Sequence, residues 1–399
     1  MKITAAEVIV WVLAVVAVVL LALIFFSPVW WVSLTAPQYP KEAFPDGIRI
    51  QFHVNGVFNG CRKIENKEKF EEEALNCKHE MDAINHYVGM YPIAAGAPVE
   101  RAVSPFVFTY LAILVIAFVL RNRRARYLLL FAGAVLIAIW AYLVLFVPGG
   151  VIYQSAPYKK DLTSTLHLDE QEIKAWSGLK ALQVSYAEAL ARYFPTKTVD
   201  CKSMTGLLKY LNIYASQQKD FAKMNDILTN RSVDTSHMMD IFEDQYKEFL
   251  QNRQLTPDAA KSGFLAKCEK LNQTTGITDK TRLKIITNAT WAFYIVFVLA
   301  MLGLPLGLMK FSKLEWALIL IPMMLPLFFI IDYAAWLWWF GHNLSSLGAF
   351  TVKPFMPTVF GVGKVAQFST YSYPDIGFGM IILFAVCAGA IALIRYKAE

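Results

Sequence analysis

The segment VIVWVLAVVAVVLLALIFF, from Val8 to Phe26, decides the fold, because it runs without a single charged residue. Its length is close to the roughly 20 residues that an α-helix needs to cross about 30 Å of hydrocarbon. A cleaved signal peptide is the alternative. Its apolar core is usually shorter, and the Ser27-Pro28-Val29-Trp30-Trp31 that follows is typical of an interfacial aromatic belt rather than a cleavage site. We therefore predict a retained membrane anchor.

Five further apolar runs of similar length follow along the chain. They are Val103–Leu120, Tyr127–Val147, Ala289–Leu308, Leu314–Tyr333 and Ile376–Ile394. The composition agrees, with 56% hydrophobic and only 17% charged residues, because soluble domains carry fewer apolar side chains. The sequence thus predicts an α-helical integral membrane protein with six transmembrane helices, a small α/β extracytoplasmic domain and a helical extracytoplasmic bundle.

The basic residues predict the orientation of these helices. They flank the apolar runs at Lys2, in residues 121–126, at Lys310 and Lys313, and in residues 395–397. Six crossings place all of them on one side, which the positive-inside rule identifies as cytoplasmic. We expect a bacterial inner membrane with both termini in the cytoplasm. The net charge of +7 is partly this lining, so no nucleic-acid partner is expected.

The predicted domain boundaries follow from the crossings. Residues 28–102 form the α/β domain, 149–286 the helical domain and 340–374 an aromatic, proline-rich cap, all in the periplasm. The remaining segments hold the membrane helices and are 1–27, 103–148, 287–339 and 375–399, the last with a basic cytoplasmic tail.

The cysteines test this topology independently. Four of the five lie in the outer segments, as Cys61 with Cys77 and as Cys201 with Cys268, while Cys387 lies in the last apolar run. An oxidising compartment would make each pair a disulfide. Unpaired thiols, or metal ligation by Cys61 and Cys77, are the alternatives.

The first outer segment carries the clearest chemical signal. Residues 47–54 alternate apolar and polar side chains and predict a strand, and a helix is expected from Lys67 to Tyr87. Its apolar stripe is Phe70, Ala74, Cys77, Met81, Ile84 and Val88. The opposite face holds His79, Asp82, His86 and, one turn on, Met90. Imidazole with thioether suits copper, Cu(I) especially; a solvated polar face is the alternative.

The other two outer segments differ in character. Helical periodicity predicts helices at 168–194, 200–229, 235–253 and 257–271, and another from Asp279 into the fourth crossing. We expect the block 150–286 to dock a protein partner. The cap adds His342 and Met356, a second copper-compatible pair, although interfacial packing is the alternative role for each residue.

Two motifs resemble a family of poorly characterised bacterial polytopic membrane proteins. One is Asn85-His86-Tyr87-Val88-Gly89-Met90, and the other is Gly341-His342-Asn343-Leu344 followed by Pro354-Phe355-Met356-Pro357 and Thr370-Tyr371-Ser372-Tyr373-Pro374. The family is associated with copper-enzyme and respiratory contexts such as nitrous-oxide-reductase accessory systems. The resemblance implies that the His86 and His342 segments share one outer architecture, with copper at His86 and Met90 and with His342 and Met356 as second candidates. It does not cover residues 150–286.

Three functions follow from these observations. The sequence carries no phosphate-binding loop, dinucleotide fingerprint, HExxH or haem attachment site, which disfavours the common enzyme classes. The first hypothesis is an accessory protein that captures or delivers Cu(I) outside the membrane. The second is a non-catalytic assembly subunit of a larger respiratory or monooxygenase complex. The third, a redox subunit with its own active site, lacks enough convergent acids and histidines.

Overall fold

A computed structural model provides the fold of this protein. It describes residues 5–39, 41, 43–61, 76–91, 97–156, 158–159, 162–163, 170–193, 279–344, 352–365 and 367–398. The chain divides into two compact units. The first comprises residues 1–185, 286–344 and 352–399 and holds every feature discussed below. Of the second, residues 186–285 and 345–351, the structure describes only 186–193 and 279–285.

Five of the described helices are long and apolar enough to cross a membrane. They are α1 (Ala5–Phe26), α3 (Pro98–Val119), α4 (Arg123–Phe146), α7 (Asp279–Lys310) and α10 (Ile376–Ala398). The shorter helices are α2 (Cys77–Val88), α5 (Glu170–Ile173), α6 (Gly178–Tyr193), α8 (Ala317–Met323) and α9 (Leu325–His342). The long helices, with α8 and α9, form the helix bundle.

The fifth predicted crossing is a bent pair of helices rather than one straight helix. The axes before and after Met324 differ by 55°. Pro322 lies inside α8 and Pro326 in the first turn of α9. Because proline lacks an N–H and its ring crowds the preceding turn, the helix breaks here. The predicted end at Tyr333 was therefore too early, since α9 continues to His342.

One antiparallel sheet of five strands joins both ends of the chain. Its strands are β1 (Trp30–Thr35), β2 (Ile48–His53), β3 (Gly56–Asn59), β4 (Gly361–Val365) and β5 (Phe368–Pro374), in the order β3-β2-β1-β5-β4. β1 follows α1 almost directly and β5 leads into α10. Their register pairs Trp30 with Pro374 and Leu34 with Thr370.

This sheet confirms one sequence interpretation and revises another. The predicted strand at 47–54 is confirmed as β2. Trp30 and Trp31, interpreted as an interfacial belt, begin strand β1. Part of the predicted cap, residues 361–374, supplies two strands to the same sheet as residues 30–59. The segments 28–102 and 340–374 therefore do not form separate domains.

The first and last helices pack closely beneath the sheet. Ala14 and Ala17 of α1 and Ala388 of α10 are almost fully buried, among larger residues such as Phe384. Small side chains let helix backbones approach, which is how helices associate when the surrounding solvent is itself apolar. The pairing of β1 with β5 and the packing of α1 on α10 therefore reinforce each other.

Side-chain donors satisfy helix carbonyls that lack a partner in their own helix. Pro305 has no N–H for the carbonyl of Met301, and the Tyr110 hydroxyl donates to that carbonyl across 3.1 Å. Near the end of α7, the Tyr127 hydroxyl donates to the Leu308 carbonyl at 3.2 Å. In hydrocarbon no water satisfies these groups, so protein donors stabilise α7 against its neighbours.

Charged residues gather at the end of the bundle opposite the sheet, which we call the basic end. Glu315 accepts from Arg126 at 2.7 Å and from Arg395 at 2.5 Å, and Arg121 pairs with Glu7. These contacts bring the start of α4, the turn after α7 and the end of α10 together, and they join the loop after α3 to the start of α1. The basic clusters within the described residues thus share one end of the bundle.

The helical block 149–286 is described only at its edges. The predicted helix 168–194 is interrupted at residues 174–177, where the carbonyls of Ala175 and Trp176 accept from the amides of Gly149 and Val151. The helix expected from Asp279 into the fourth crossing is confirmed as α7. The predicted helices 200–229, 235–253 and 257–271, and the Cys201–Cys268 pair, lie outside the described residues.

Replacing Glu315 with Gln is expected to lower the free energy of unfolding by about 2 kcal/mol, because Arg126 and Arg395 would keep their charges without the carboxylate between them. Thermal unfolding of the detergent-purified protein measures this. Glu7→Gln is the control, since its partner Arg121 is 59% exposed and such pairs contribute about 0–1 kcal/mol. Equal losses in both variants would contradict the role of Glu315.

Candidate functional site

Helix α2 is fixed at its start by a cap and a disulfide. The Asn76 side chain accepts from the amides of Lys78 and His79, which is the usual role of an N-cap asparagine. Cys77, the first helical residue, is bonded to Cys61, so this predicted disulfide is present. The helix predicted from Lys67 to Tyr87 does not run without a break, because the backbone at Asn76 is not helical and α2 begins at Cys77; residues 62–75 lie outside the described part of the chain.

The predicted apolar stripe of α2 packs against the sheet. Cys77, Met81 and Ile84 are buried in a cluster with inward-facing residues of the strands, Ile48 and Ile50 among them. The stripe residues Phe70 and Ala74 lie outside the described residues. The disulfide and this stripe together hold α2 on the inner face of the sheet, close to the end of α9.

The predicted metal face of α2 differs from the expectation of a solvated surface. Only His79 is exposed, whereas Asp82, His86 and Met90 are all buried. The solvated polar face was the alternative to a metal site, but apart from His79 every residue of α2 is buried or half-buried. Burial lowers the pKa of His86, which keeps its imidazole neutral, the form that binds metals.

Asp82 lies in a charged environment of its own. Burial, followed by the nearby Arg101 guanidinium, lowers the pKa of Lys78 to about 8, and the Asp82 carboxylate opposes that shift. Asp82 thus has a cation beside it within the protein.

Met90 lies beyond the helix because α2 ends at Gly89. Gly89 has a φ of 89°, a conformation that glycine adopts readily, and its amide donates to the His86 carbonyl. The Met90 amide donates to the Asn85 carbonyl at 2.8 Å. This is a Schellman motif, which places Met90 just past the last turn, next to the turn that holds His86.

His342 is presented at the end of α9. Its side chain is exposed, and its ring stacks on Trp338 with centroids 4.5 Å apart. Nδ1 lies 2.8 Å from the Trp338 carbonyl oxygen. Because a carbonyl only accepts, the neutral tautomer that makes this bond carries its proton on Nδ1 and leaves the Nε2 lone pair open. Metal-binding histidines commonly have such a partner.

Met356 is brought to the same place by a backbone contact. The Phe355 amide donates to the Gly341 carbonyl at 3.2 Å, and a Cβ at Gly341 would collide with the Phe355 carbonyl oxygen. Glycine is therefore required for this close approach. Met356, about half exposed, follows Phe355 just as His342 follows Gly341.

The two predicted His and Met pairs lie at neighbouring positions. The ring of Tyr91, the residue after Met90, lies 5.6 Å from the ring of Trp339, one turn before His342. The structure thus brings the ends of α2 and α9 together at the sheet end of the bundle. Within the described part of the chain, no three His, Cys, Asp or Glu side chains form a metal-binding group.

A buried polar cluster missed by the sequence analysis holds α9 in position. The Ser372 hydroxyl is fully buried, lies 3.1 Å from the Tyr333 hydroxyl, accepts from Trp30 Nε1 at 2.8 Å and donates to the Val359 carbonyl at 2.8 Å. It thereby joins β1, β5 and α9. The aromatic residues and the threonine in residues 368–373, which are residue types that favour strands, were the signal that could have revealed β5.

Arg101 is the second residue that the sequence analysis missed. It lies in the first turns of α3, and its guanidinium donates to the Val57 carbonyl at 2.8 Å and covers the Phe58 ring. A Cβ at Gly56 would collide with this side chain. Arg101 therefore occupies the free edge of β3 and couples the sheet to the bundle.

No known protein family, curated protein or solved structure matches this chain.

Replacing Gly341 with Ala is expected to separate Met356 from His342, because the new Cβ displaces Phe355. Losing the hydrogen bond from the Phe355 amide should speed its exchange with deuterium roughly ten-fold. Mass spectrometry of the peptide covering 352–358 measures this. Gly303→Ala is the control, since nothing lies within 4 Å of a Cβ there. Unchanged exchange in the Gly341 variant would contradict the contact.

Proposed function

We propose that this chain is an accessory integral membrane protein that captures or delivers Cu(I) on the outer side of a bacterial inner membrane. The observation that supports the proposal is the contact between the Tyr91 and Trp339 rings, which brings the end of α2, with His86 and Met90, near the end of α9, with His342. Imidazole and thioether are the ligand types that favour Cu(I) over harder cations.

His342 Nε2 and Met356 Sδ are the proposed ligands for entering copper. Both side chains are exposed, and the hydrogen bond between His342 Nδ1 and the Trp338 carbonyl orients the ring for a ligand at Nε2. The contact between Gly341 and Phe355 places the two residues on adjoining backbone segments. An exposed pair can exchange copper with a partner, as an accessory protein must.

His86 and Met90 form the proposed inner pair. Their burial and the neutral state of His86 suit a retained, dehydrated Cu(I) ion. The disulfide and the Gly89 turn fix the backbone on either side of them. His79, in the first turn of α2, and Asp82, beside Lys78, are not part of the proposed ligand set.

Membrane insertion in six crossings, with the sheet outside, is the topology we propose. The five long apolar helices and the bent pair of α8 and α9 supply the crossings. The cluster of Arg126, Glu315 and Arg395 lies at the opposite end from the sheet, and positive charge favours the cytoplasmic side. The Cys61–Cys77 disulfide suits an oxidising periplasm.

A non-catalytic assembly subunit of a copper enzyme or respiratory complex is the second candidate. The exposure of α7 favours it, because only 17% of its most apolar window is buried, compared with 61% for α3. Such a helix offers apolar surface to lipid or to a partner helix. The block 150–286, which ends within the first turns of α7, is the proposed docking segment for a protein partner.

Anaerobic titration of the full-length protein with Cu(I), held by a chromogenic chelator as competitor, tests the copper proposal. We expect tight binding by the wild type and at least about ten-fold weaker binding, about 1.4 kcal/mol, when His342→Ala and Met356→Leu are combined with His86→Ala and Met90→Leu, so that neither pair remains. His79→Ala should bind like the wild type. Thermal unfolding of each variant shows that it is folded.

The result that would overturn the proposal is equal copper retention in the wild type and the variant that lacks both pairs, or none in either. In that case the assembly role would be the better account. Co-purification of a membrane complex with the wild type, lost on deletion of residues 160–280, would then identify the partner.

A further inference from the structure

A row of aromatic rings crosses the outward face of the sheet. The Phe360 and Tyr373 rings lie 5.6 Å apart and the Tyr373 and Trp31 rings 5.4 Å apart. The Arg49 guanidinium covers the Trp31 ring at 4.3 Å. Trp31 points away from the core, because its neighbours Trp30 and Val32 are buried in it. Trp31 and Tyr373 therefore lie on the face that does not pack on α2 and α9, and Phe360, whose ring is also 6.2 Å from that of the buried Trp30, lies at the rim of this face.

The register of the strands places this row close to the helix bundle. Trp31 pairs with Tyr373, and Phe360 comes directly before Gly361, which pairs with Ser372. Tyr373 is three residues before the start of α10 at Ile376. At about 3.3 Å per residue, Tyr373 lies within about 10 Å of the first residue of α10.

Apolar side chains around this row are open to the surroundings. Phe360 is 67% exposed and Val362 55%. They continue the apolar surface of the bundle, because Ile376 at the start of α10 and Phe26 at the end of α1 are similarly exposed. In water such a patch is unfavourable, and it lies where the proposed membrane begins.

An ion pair beside the aromatic row indicates how deep the row lies in the proposed membrane. Arg49 and Asp375 form an ion pair at 3.3 Å beside the aromatic row, and both retain some exposure. An exposed ion pair is unfavourable in hydrocarbon but stable among headgroups. Tryptophan and tyrosine prefer that same level, with one side apolar and the other polar.

We propose that the row Phe360, Tyr373 and Trp31, with Val362, is a membrane-interface contact that lies in the phospholipid headgroup layer of the outer leaflet. The edge of the sheet formed by β4 and β5 then contacts the bilayer surface. This contact holds residues 352–360, and with them Met356, at the membrane surface. The inference rests on the proposed membrane insertion and not on copper.

A fluorescent label attached to single cysteines tests the contact. The full-length chain with Cys387→Ala is reconstituted in phosphatidylcholine and phosphatidylglycerol vesicles, and Phe360→Cys and Lys364→Cys are labelled in parallel with a bimane. Lys364 is the matched control, because it lies on β4, which begins one residue after Phe360, is exposed and is farther from the bundle. The parent without an added cysteine gives the background. Quenching by headgroup-nitroxide lipid and by aqueous iodide is compared.

The label at position 360 is expected to be quenched several-fold more by the nitroxide lipid than the label at 364, with the opposite order for iodide. Equal quenching at both positions, or strong iodide quenching at 360, would overturn the proposal. Val296→Cys on the exposed face of α7 distinguishes the causes of failure. If acyl-chain nitroxides quench that label, the chain is inserted and only the contact is wrong.

Discussion

The antiparallel pairing of β1 with β5 is the interaction on which the rest of the structure depends. It joins residues 30–35 to residues 369–374 and so connects the first and last helices through backbone hydrogen bonds. α1 and α10 can then pack closely through small residues beneath the sheet. The inner face of the sheet is covered by α2 and by the end of α9. The Ser372 hydroxyl lies where β1, β5 and α9 meet. Displacing either strand would therefore release the sheet and the candidate site together.

A second constraint acts on the helix bundle. Backbone polar groups in hydrocarbon need hydrogen-bond partners within the protein. Prolines in α7, α8 and α9 lack the backbone N–H group that other residues donate. The structure accommodates them in two ways. Tyr110 supplies a donor to the carbonyl that Pro305 leaves open, whereas Pro322 and Pro326 permit the bend between α8 and α9. The bend matters for function, because the redirected α9 reaches the sheet and ends at His342. A straight helix ending at Tyr333 would not carry that histidine to the neighbourhood of Met90.

The sequence predicted the elements whose pattern is set by one local environment. Long apolar runs predict membrane-length helices directly. The alternation in residues 47–54 lies within one strand, and the stripe with Met81 and Ile84 lies within one helix, so each pattern can be recognised without knowing the tertiary fold. β1 and β5 were missed because their partner strands are more than 330 residues apart, and because polar Ser372 is buried, which disguises the alternation. The buried state of Asp82 and His86 was also not predictable, since the helical pattern of α2 shows only which face is apolar. That the polar face is covered as well depends on tertiary packing. The close approach at Gly341 likewise depends on a segment that the local pattern cannot place. The family resemblance and the copper assignment stay predictions.

The central claim is that Cu(I) binds between the ends of α2 and α9 through imidazole and thioether ligands. Copper K-edge X-ray absorption of the Cu(I)-loaded full-length protein tests it most directly, because nitrogen and sulfur neighbours scatter differently. The account predicts a mixed shell of nitrogen and sulfur whose sulfur contribution falls when Met356 is replaced by Leu. A shell of nitrogen and oxygen alone, or a sulfur shell that this substitution leaves unchanged, would contradict it.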